Sequence, residues 1–372
     1  MTLDDARLFS DTDLRRYLAA RAEAAAMRAA PADDMALRVA IELRLVRPRR
    51  SGLARALRIA IVVALLAALA AGALYLIGRF RQDYAPNAPQ VTVNVHGSPW
   101  AIAAEGGYIW TAGYQEGVLF QVEPSTGEVV AELSTGKRVC GDIAAGFGYI
   151  WFTTCADNAW LGRMDLATHH IDRLNGFGGD QIGFGGGRVW TNNDGLLEGL
   201  NPQTLATEIS YPVTRGGMLL YAFDSIWIAD FDGRVVARID PATGATIAEV
   251  SWVEEGGGSV VHLAAGGGAV WVADEENLAV YRIDAATNEA RRTIELQFID
   301  GTGFGDHAIT ALGDEIWVRA SDTSIVRIDP LNSTVAERVP TGAFGGGSLV
   351  VTPEAIWYGN LKGESIVGVR RQ

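Results

Sequence analysis

The sequence predicts an all-β fold, a seven-bladed β-propeller preceded by one transmembrane helix and a short helical N-terminal segment. Three observations carry this reading: a tryptophan context repeated seven times, one long uncharged run, and a charge balance that changes sign across that run. The 44 Gly, 10 Trp and 12 Pro among 372 residues also suit many short strands joined by tight turns.

Residues 1–58 carry 12 Arg against 8 Asp/Glu. Residues 10–30 open on Ser10, a good N-cap, with Asp13 three positions later, and continue in strong helix formers to Pro31. A second amphipathic stretch, DDMALRVAIELRLV, leads to the basic RPRR. The expectation is a cytoplasmic helical segment too small to build a large core of its own.

Residues 59–78 are 20 uncharged residues, which as a helix reach about 30 Å, the thickness of a bilayer core. A cleaved signal peptide has a shorter apolar stretch near the N-terminus, and a buried core helix keeps a polar face, so neither fits as well. Arg44, Arg47, Arg49, Arg50, Arg55 and Arg58 precede the run, and only Arg79 and Arg81 follow closely. The positive-inside bias then keeps the N-terminus in the cytoplasm and places everything after a linker at 79–89 outside. Residues 82–372 carry 17 Lys/Arg against 36 Asp/Glu, a net charge of −19 that repels phosphate backbones and argues against a nucleic-acid partner.

The propeller is read over 90–372 from Trp110, Trp151, Trp190, Trp227, Trp271, Trp317 and Trp357, each in a context such as YIWTAG or SIWIAD. Their spacings of 41, 39, 37, 44, 46 and 40 residues match a four-strand blade period. A small-residue apolar stretch and tight turn precede each Trp. In the first six units a second signature follows it, as in RIDPATG or RIDPLNS, and then an alternating strand. Each unit therefore reads as strands A to D, with Trp on B and a turn of the Asp-Pro-x-Thr-Gly type between C and D. The last unit stops after SIVGVRRQ and lacks its outer strand. The alternating residues 90–97, QVTVNVHG, supply it and close the ring, removing an edge that would otherwise invite aggregation. The tryptophans themselves read as packing between blades.

Cys140 and Cys155 flank a hairpin turning at Gly146-Phe147-Gly148, whose register sets them opposite one another at disulfide distance. An oxidising compartment would keep such a bridge, and no Cys-x-x-Cys or neighbouring His suggests a metal instead.

Candidate site residues follow from the alignment of blades. In a propeller the starts of strand A and the B–C loops share one face around the channel. Nine positions before each Trp stand Ala101, Asp142, Gln181, Met218, His262, Ala308 and Ser348, and three after it Gly113, Thr154, Asn193, Asp230, Asp274, Ala320 and Asn360. The expected ligand-binding face is thus polar and mildly acidic: Asp142, Gln181, Asn193, Asp230, His262, Asp274 and Asn360, joined by His307 and Arg319. Gly-rich runs such as GFGGGR read as turns, since none opens a helix after a strand. The DEEN run at 274–277 lacks calcium-loop spacing, and His169-His170 falls in a C–D turn expected to be exposed.

The I-A-x-G-x-x-x-W and R-I-D-P-x-T-G patterns resemble those of virginiamycin B lyase, YVTN and NHL-type propellers, over roughly residues 90–372. The resemblance implies the fold and, from the lyases, one possible activity: elimination that opens a cyclic ester, using a His acid/base, nearby carboxylates and magnesium. The stretch HAITALGDEIWVRAS, from His307, is similar to the lyase segment around its catalytic His, yet Ala320 stands where the carboxylate is expected, with Arg319 beside it. His262 with Asp274 is a second candidate pair, and a base must sit within hydrogen-bond reach of its proton. The order of helical head, single membrane helix and external domain resembles membrane-anchored anti-sigma factors, without their zinc-binding His-x-x-x-Cys-x-x-Cys pattern.

The function expected is an extracytoplasmic propeller that binds an unidentified ligand or protein on its channel face, needs no cofactor, and has a possible cytosolic partner for residues 1–57 through which it signals inward. The alternative is a carbon–oxygen lyase of the virginiamycin B lyase type, which would require magnesium.

Overall fold

The computed structural model describes residues 90–372 except 115, 156–157, 178–180, 194, 214–215, 231–234, 252–260, 275–276, 297–307, 322, 342–346, 361–362 and 372. The expected helical segment at 1–58, transmembrane helix at 59–78 and linker at 79–89 lie outside the described residues.

Among the described residues twenty-eight strands form seven antiparallel four-stranded sheets. Blades 1 to 6 span residues 99–134, 139–175, 182–212, 217–251, 261–295 and 309–340, each running in sequence order from the innermost strand outward. Blade 7 supplies three strands from 349–370 and takes its outermost from the start of the propeller: β1 (Gln90–Asn94) pairs antiparallel with β28 (Ser365–Arg370), Val93 facing Ile366. The closing strand ends at Asn94, short of the expected Gly97, because Gly97 and Ser98 both take positive φ and turn the chain into blade 1.

Burial follows each strand's place in its blade. The second strands are buried on both sides, as in SIWIAD of blade 4, whereas outer strands alternate, as in EVVAELS of blade 1. The seven blade tryptophans are each at most 1% exposed. Burying a side chain of this size removes about 150–250 Å² from water, on the order of 4–6 kcal/mol each. Apolar clusters join neighbouring blades, for example Trp271 of blade 5 with Ile309 and Val318 of blade 6.

Each indole also finds a polar partner where the local turn permits. In blades 1 to 5 its N–H donates to the carbonyl five residues back, in the A–B turn, at 3.0–3.2 Å. In blade 7 the equivalent carbonyl, Thr352, instead accepts from Arg371 at 3.1 Å.

The residue opposite each Trp on the third strand explains the R-I-D signature. Register pairs Trp227 with Arg238, Trp271 with Arg282 and Trp317 with Arg327, and each guanidinium lies over its ring, 4.9 Å away for Arg238. Blades 3 and 7 carry Gly199 and Gly368 there, where a Cβ would come within 2.9 and 2.6 Å of the indole. Blade 1 places Gln121 opposite its Trp, and in blade 2 the facing Arg163 lies over Tyr149 instead.

The C–D turns of blades 2 to 6 share one construction. Oδ1 of Asp165, Asn201, Asp240, Asp284 and Asp329 accepts from the backbone N–H groups two and three residues on. The fifth turn residue is left-handed, which Gly244 adopts freely and which His169, Leu205, Asn288 and Ser333 adopt at a cost. His169 packs its ring edge-on against Trp110, 6.2 Å between centroids, so it is half-buried rather than exposed; only His170 is exposed.

Cys140 and Cys155 are disulfide-bonded, with 5.7 Å between their Cα atoms. The hairpin register does not run unbroken through them. It pairs Ile143 with Phe152 near the turn and Val139 with Thr154 beyond a bulge, so the bridge ties an irregular strand end.

Candidate functional site

The innermost strands of all seven blades converge on one central cavity of about 350 Å³. Its wall is mainly aliphatic: Ile102, Ile143, Ile182, Leu219, Leu263 and Leu349 stand eight positions before six of the seven blade tryptophans. The small residues Ala103, Ala104, Ala144, Ala145 and Gly183 and the aromatic Phe184 and Tyr221 also line it. Among the described residues three polar ones line it, Gln181, Tyr221 and Thr310, and of these Tyr221 can titrate. Burial raises the Tyr221 phenol above its ordinary value, helped by Asp224, while Arg188 opposes. Its ring stacks on Trp190, 16° from parallel.

The structure distributes the sequence-derived candidates differently from a single exposed polar face. Asp142 is fully buried, and its Oδ2 accepts a 3.0 Å hydrogen bond from the backbone N–H of Ile182 in blade 3, while its own N–H donates to Thr153. Ser348, at the same alignment position in blade 7, donates from Oγ to the Trp100 carbonyl of blade 1 at 2.9 Å. These two positions stitch neighbouring blades together. Among the described candidates Gln181 alone lines the cavity; it is 7% exposed.

Several residues three past a Trp hold nearby loops. Asn193 donates to the Gly176 carbonyl at 2.7 Å, and Asn360 accepts from Gly363. Asp274, fully buried, takes both the backbone and side-chain N–H groups of Asn277. That closure gives the DEEN run an internal role. Asp230 is half-buried at the end of its strand, and Arg319 is 1% exposed. His307 lies outside the described residues.

His262 and Asp274 do not form a pair. Register sets His262 opposite Ala273 and Asp274 opposite Val261, so the two side chains leave opposite faces of blade 5. Asp274 shares a face with Val272 and Tyr281, which pack toward Met218 and Trp227 of blade 4. His262 shares the other with Ala264, Trp271 and Ala273, which pack toward Ala308 and Val318 of blade 6. A base on one face cannot be oriented by a carboxylate on the other.

Among the described residues no group of three or more His, Cys, Asp or Glu is arranged to hold a metal ion. The wall residues missed from sequence, Phe184, Tyr221 and Thr310, stand six or seven positions before their tryptophans. The same alignment contained them, but a search for ionisable groups passed over an apolar wall.

No family model matches the chain, and no curated protein matches it. Solved structures do. BamB from Moraxella catarrhalis is 13% identical with a TM-score of 0.51, covering 76% of this chain and 100% of that one. The Pan2 WD40 domain of Neurospora crassa is 11% identical with a TM-score of 0.58, covering 78% and 98%. At these identities the likeness is one of fold.

Proposed function

We propose that the protein is an extracytoplasmic binding propeller, held at the membrane by residues 59–78 and related to the virginiamycin B lyase, YVTN and NHL-type propellers whose blade motifs it resembles. The observation that carries the binding reading is the central cavity: every blade contributes to it, and its wall offers apolar surface and neutral polar groups. A cavity of 300–1,000 Å³ with few convergent polar groups is the usual form of a small-molecule site. Binding outside would be relayed through the membrane helix to residues 1–57, which would engage a cytosolic partner.

The lyase alternative needs an acid/base pair, and the separation of His262 from Asp274 and the presence of Ala320 at the carboxylate position weigh against it. The deciding experiment uses the full chain in lipid nanodiscs with magnesium and a streptogramin B lactone, comparing the native protein with His262→Ala and His307→Ala. No ring opening is expected; histidine-dependent opening would replace binding with catalysis. Topology is read by protease treatment of intact cells. The propeller should be cleaved from outside while residues 1–58 stay protected, and the reverse pattern would overturn the orientation.

A further inference from the structure

We infer that the central channel binds an uncharged, amide-bearing molecule with aliphatic groups, of the size of a blocked apolar dipeptide, and that Gln181 recognises one of its amides. The inference rests on the binding reading above and specifies its ligand.

Size and wall chemistry set the class. The cavity of about 350 Å³ equals the liquid volume of roughly a dozen waters at about 30 Å³ each, well above a single trapped solvent molecule. Its side-chain wall is chiefly Ile, Leu, Ala and Phe, which reward aliphatic groups over water. Between these side chains the innermost strands present sheet edges, whose outward backbone N–H and C=O groups have no further strand to pair with. An alternation of aliphatic pockets and neutral hydrogen-bonding groups is complementary to a short peptide-like chain.

Gln181 supplies the second, independent observation. The residue lines the cavity, is more than nine-tenths buried, and its amide makes no hydrogen bond to another described residue. A primary amide brings two donors and an acceptor, and a buried polar group of that kind normally has its partners. The complement of an amide is another amide, which both donates and accepts. Gln181 immediately precedes the innermost strand of blade 3, Ile182–Gly185, while Tyr221 stands near the turn end of the innermost strand of blade 4, Gly217–Ala222. The ligand therefore lies along the channel, with one hydrogen-bonding group toward each end.

Charge selects against ionised ligands. Residues 82–372 carry a net −19, which disfavours an anionic end, and among the described residues no carboxylate lines the cavity to neutralise a cationic one.

The test titrates acetyl-dileucine amide into the full chain in nanodiscs by calorimetry, alongside unblocked dileucine, with empty nanodiscs as the control. Saturable binding of the blocked peptide is expected, with the zwitterion at least about tenfold weaker. Gln181→Leu should weaken binding about three- to tenfold, the worth of one hydrogen bond. Thr310→Trp, which fills the channel from blade 6, should abolish it, and Ala104→Phe fills the space from blade 1 should the first variant fold poorly; circular dichroism melting identifies folded variants. No saturable heat with the blocked peptide, or equal binding by a folded channel-filled variant, overturns the inference. Tighter binding of the zwitterion overturns the neutral-ligand assignment while leaving the binding reading intact, and binding unaffected by the channel fillings would move the site to the outer faces of the propeller.

Discussion

The carboxylate of Asp142 in blade 2 accepts the backbone N–H of Ile182 in blade 3 at 3.0 Å, forty residues along the chain. A propeller blade is held to its neighbour mainly by apolar contact, and this bond adds direction at the innermost strand. Replacing Asp142 by Ala strands a buried N–H, which costs about 1–3 kcal/mol. The expected result is a melting temperature lowered by several degrees. Asp142→Asn, which keeps an acceptor oxygen, should lose less. Equal losses would show that the hydrogen bond is not what the carboxylate contributes.

Arg238 performs a similar linkage farther out. Its guanidinium lies over Trp227 and donates from Nη1 to the Ala285 carbonyl at 2.7 Å and to Asn288 Oδ1 at 3.0 Å, both in the C–D turn of blade 5. Arg238→Leu should destabilise by about 1–3 kcal/mol in urea unfolding. Arg238→Lys should recover little of it, because an ammonium cannot lie flat on the indole and reach both acceptors. Full recovery with Lys would reduce the residue to a simple charge.

The Cys140–Cys155 bridge closes a separation of 15 residues within a hairpin. The chain-entropy argument allows up to about 3 kcal/mol for such a loop, less where the strands already pair. Reduction should therefore lower the melting temperature by a few degrees without unfolding the protein. Alkylation of protein taken directly from cells should find no free thiol, in keeping with a propeller outside the membrane. Two free thiols would contradict that placement.

Acid should loosen the C–D turns together. Asp165 is held below the ordinary carboxylate range chiefly by the Thr168 backbone N–H, Asp284 by the Arg282 side chain and Asp329 by the Asn332 side chain. A carboxyl with a lowered folded-state value contributes stability that is present above its unfolded value and lost as pH falls through the folded one, here from about pH 4 downward. Melting temperature should fall over that window. The triple variant Asp165→Asn, Asp284→Asn, Asp329→Asn keeps the turn acceptors as Asn201 does in blade 3, so its melting temperature should depend less on pH there. An unchanged slope would place the acid sensitivity elsewhere.

Blade number and strand order were legible in the chain because the forces that make a blade are local. A Trp with its neighbouring apolar residues repeats once per four strands, and the Asp-Pro-x-Thr-Gly turn names its own geometry through an Asx acceptor and a left-handed fifth residue. Ring closure by residues near 90 was legible for the same reason: one unit lacked a strand and one strand lacked a unit. The site was only partly legible. Position in the alignment identified the strand ends around the channel, but not which side chains reach it.

From the sequence alone, then, come the repeat, the tryptophan core and the pairing of Cys140 with Cys155, since period, turn chemistry and hairpin proximity act within some forty residues. The tertiary structure alone decided what surrounds the channel. Whether a side chain near an innermost strand faces a cavity, a neighbouring blade or its own loop depends on strand register and on blades packed from both sides. Those relations bury Asp142 and Asp274 in structural hydrogen bonds and send His262 and Asp274 to opposite faces. They leave Gln181, among the described polar residues singled out from sequence, on the wall of the central cavity.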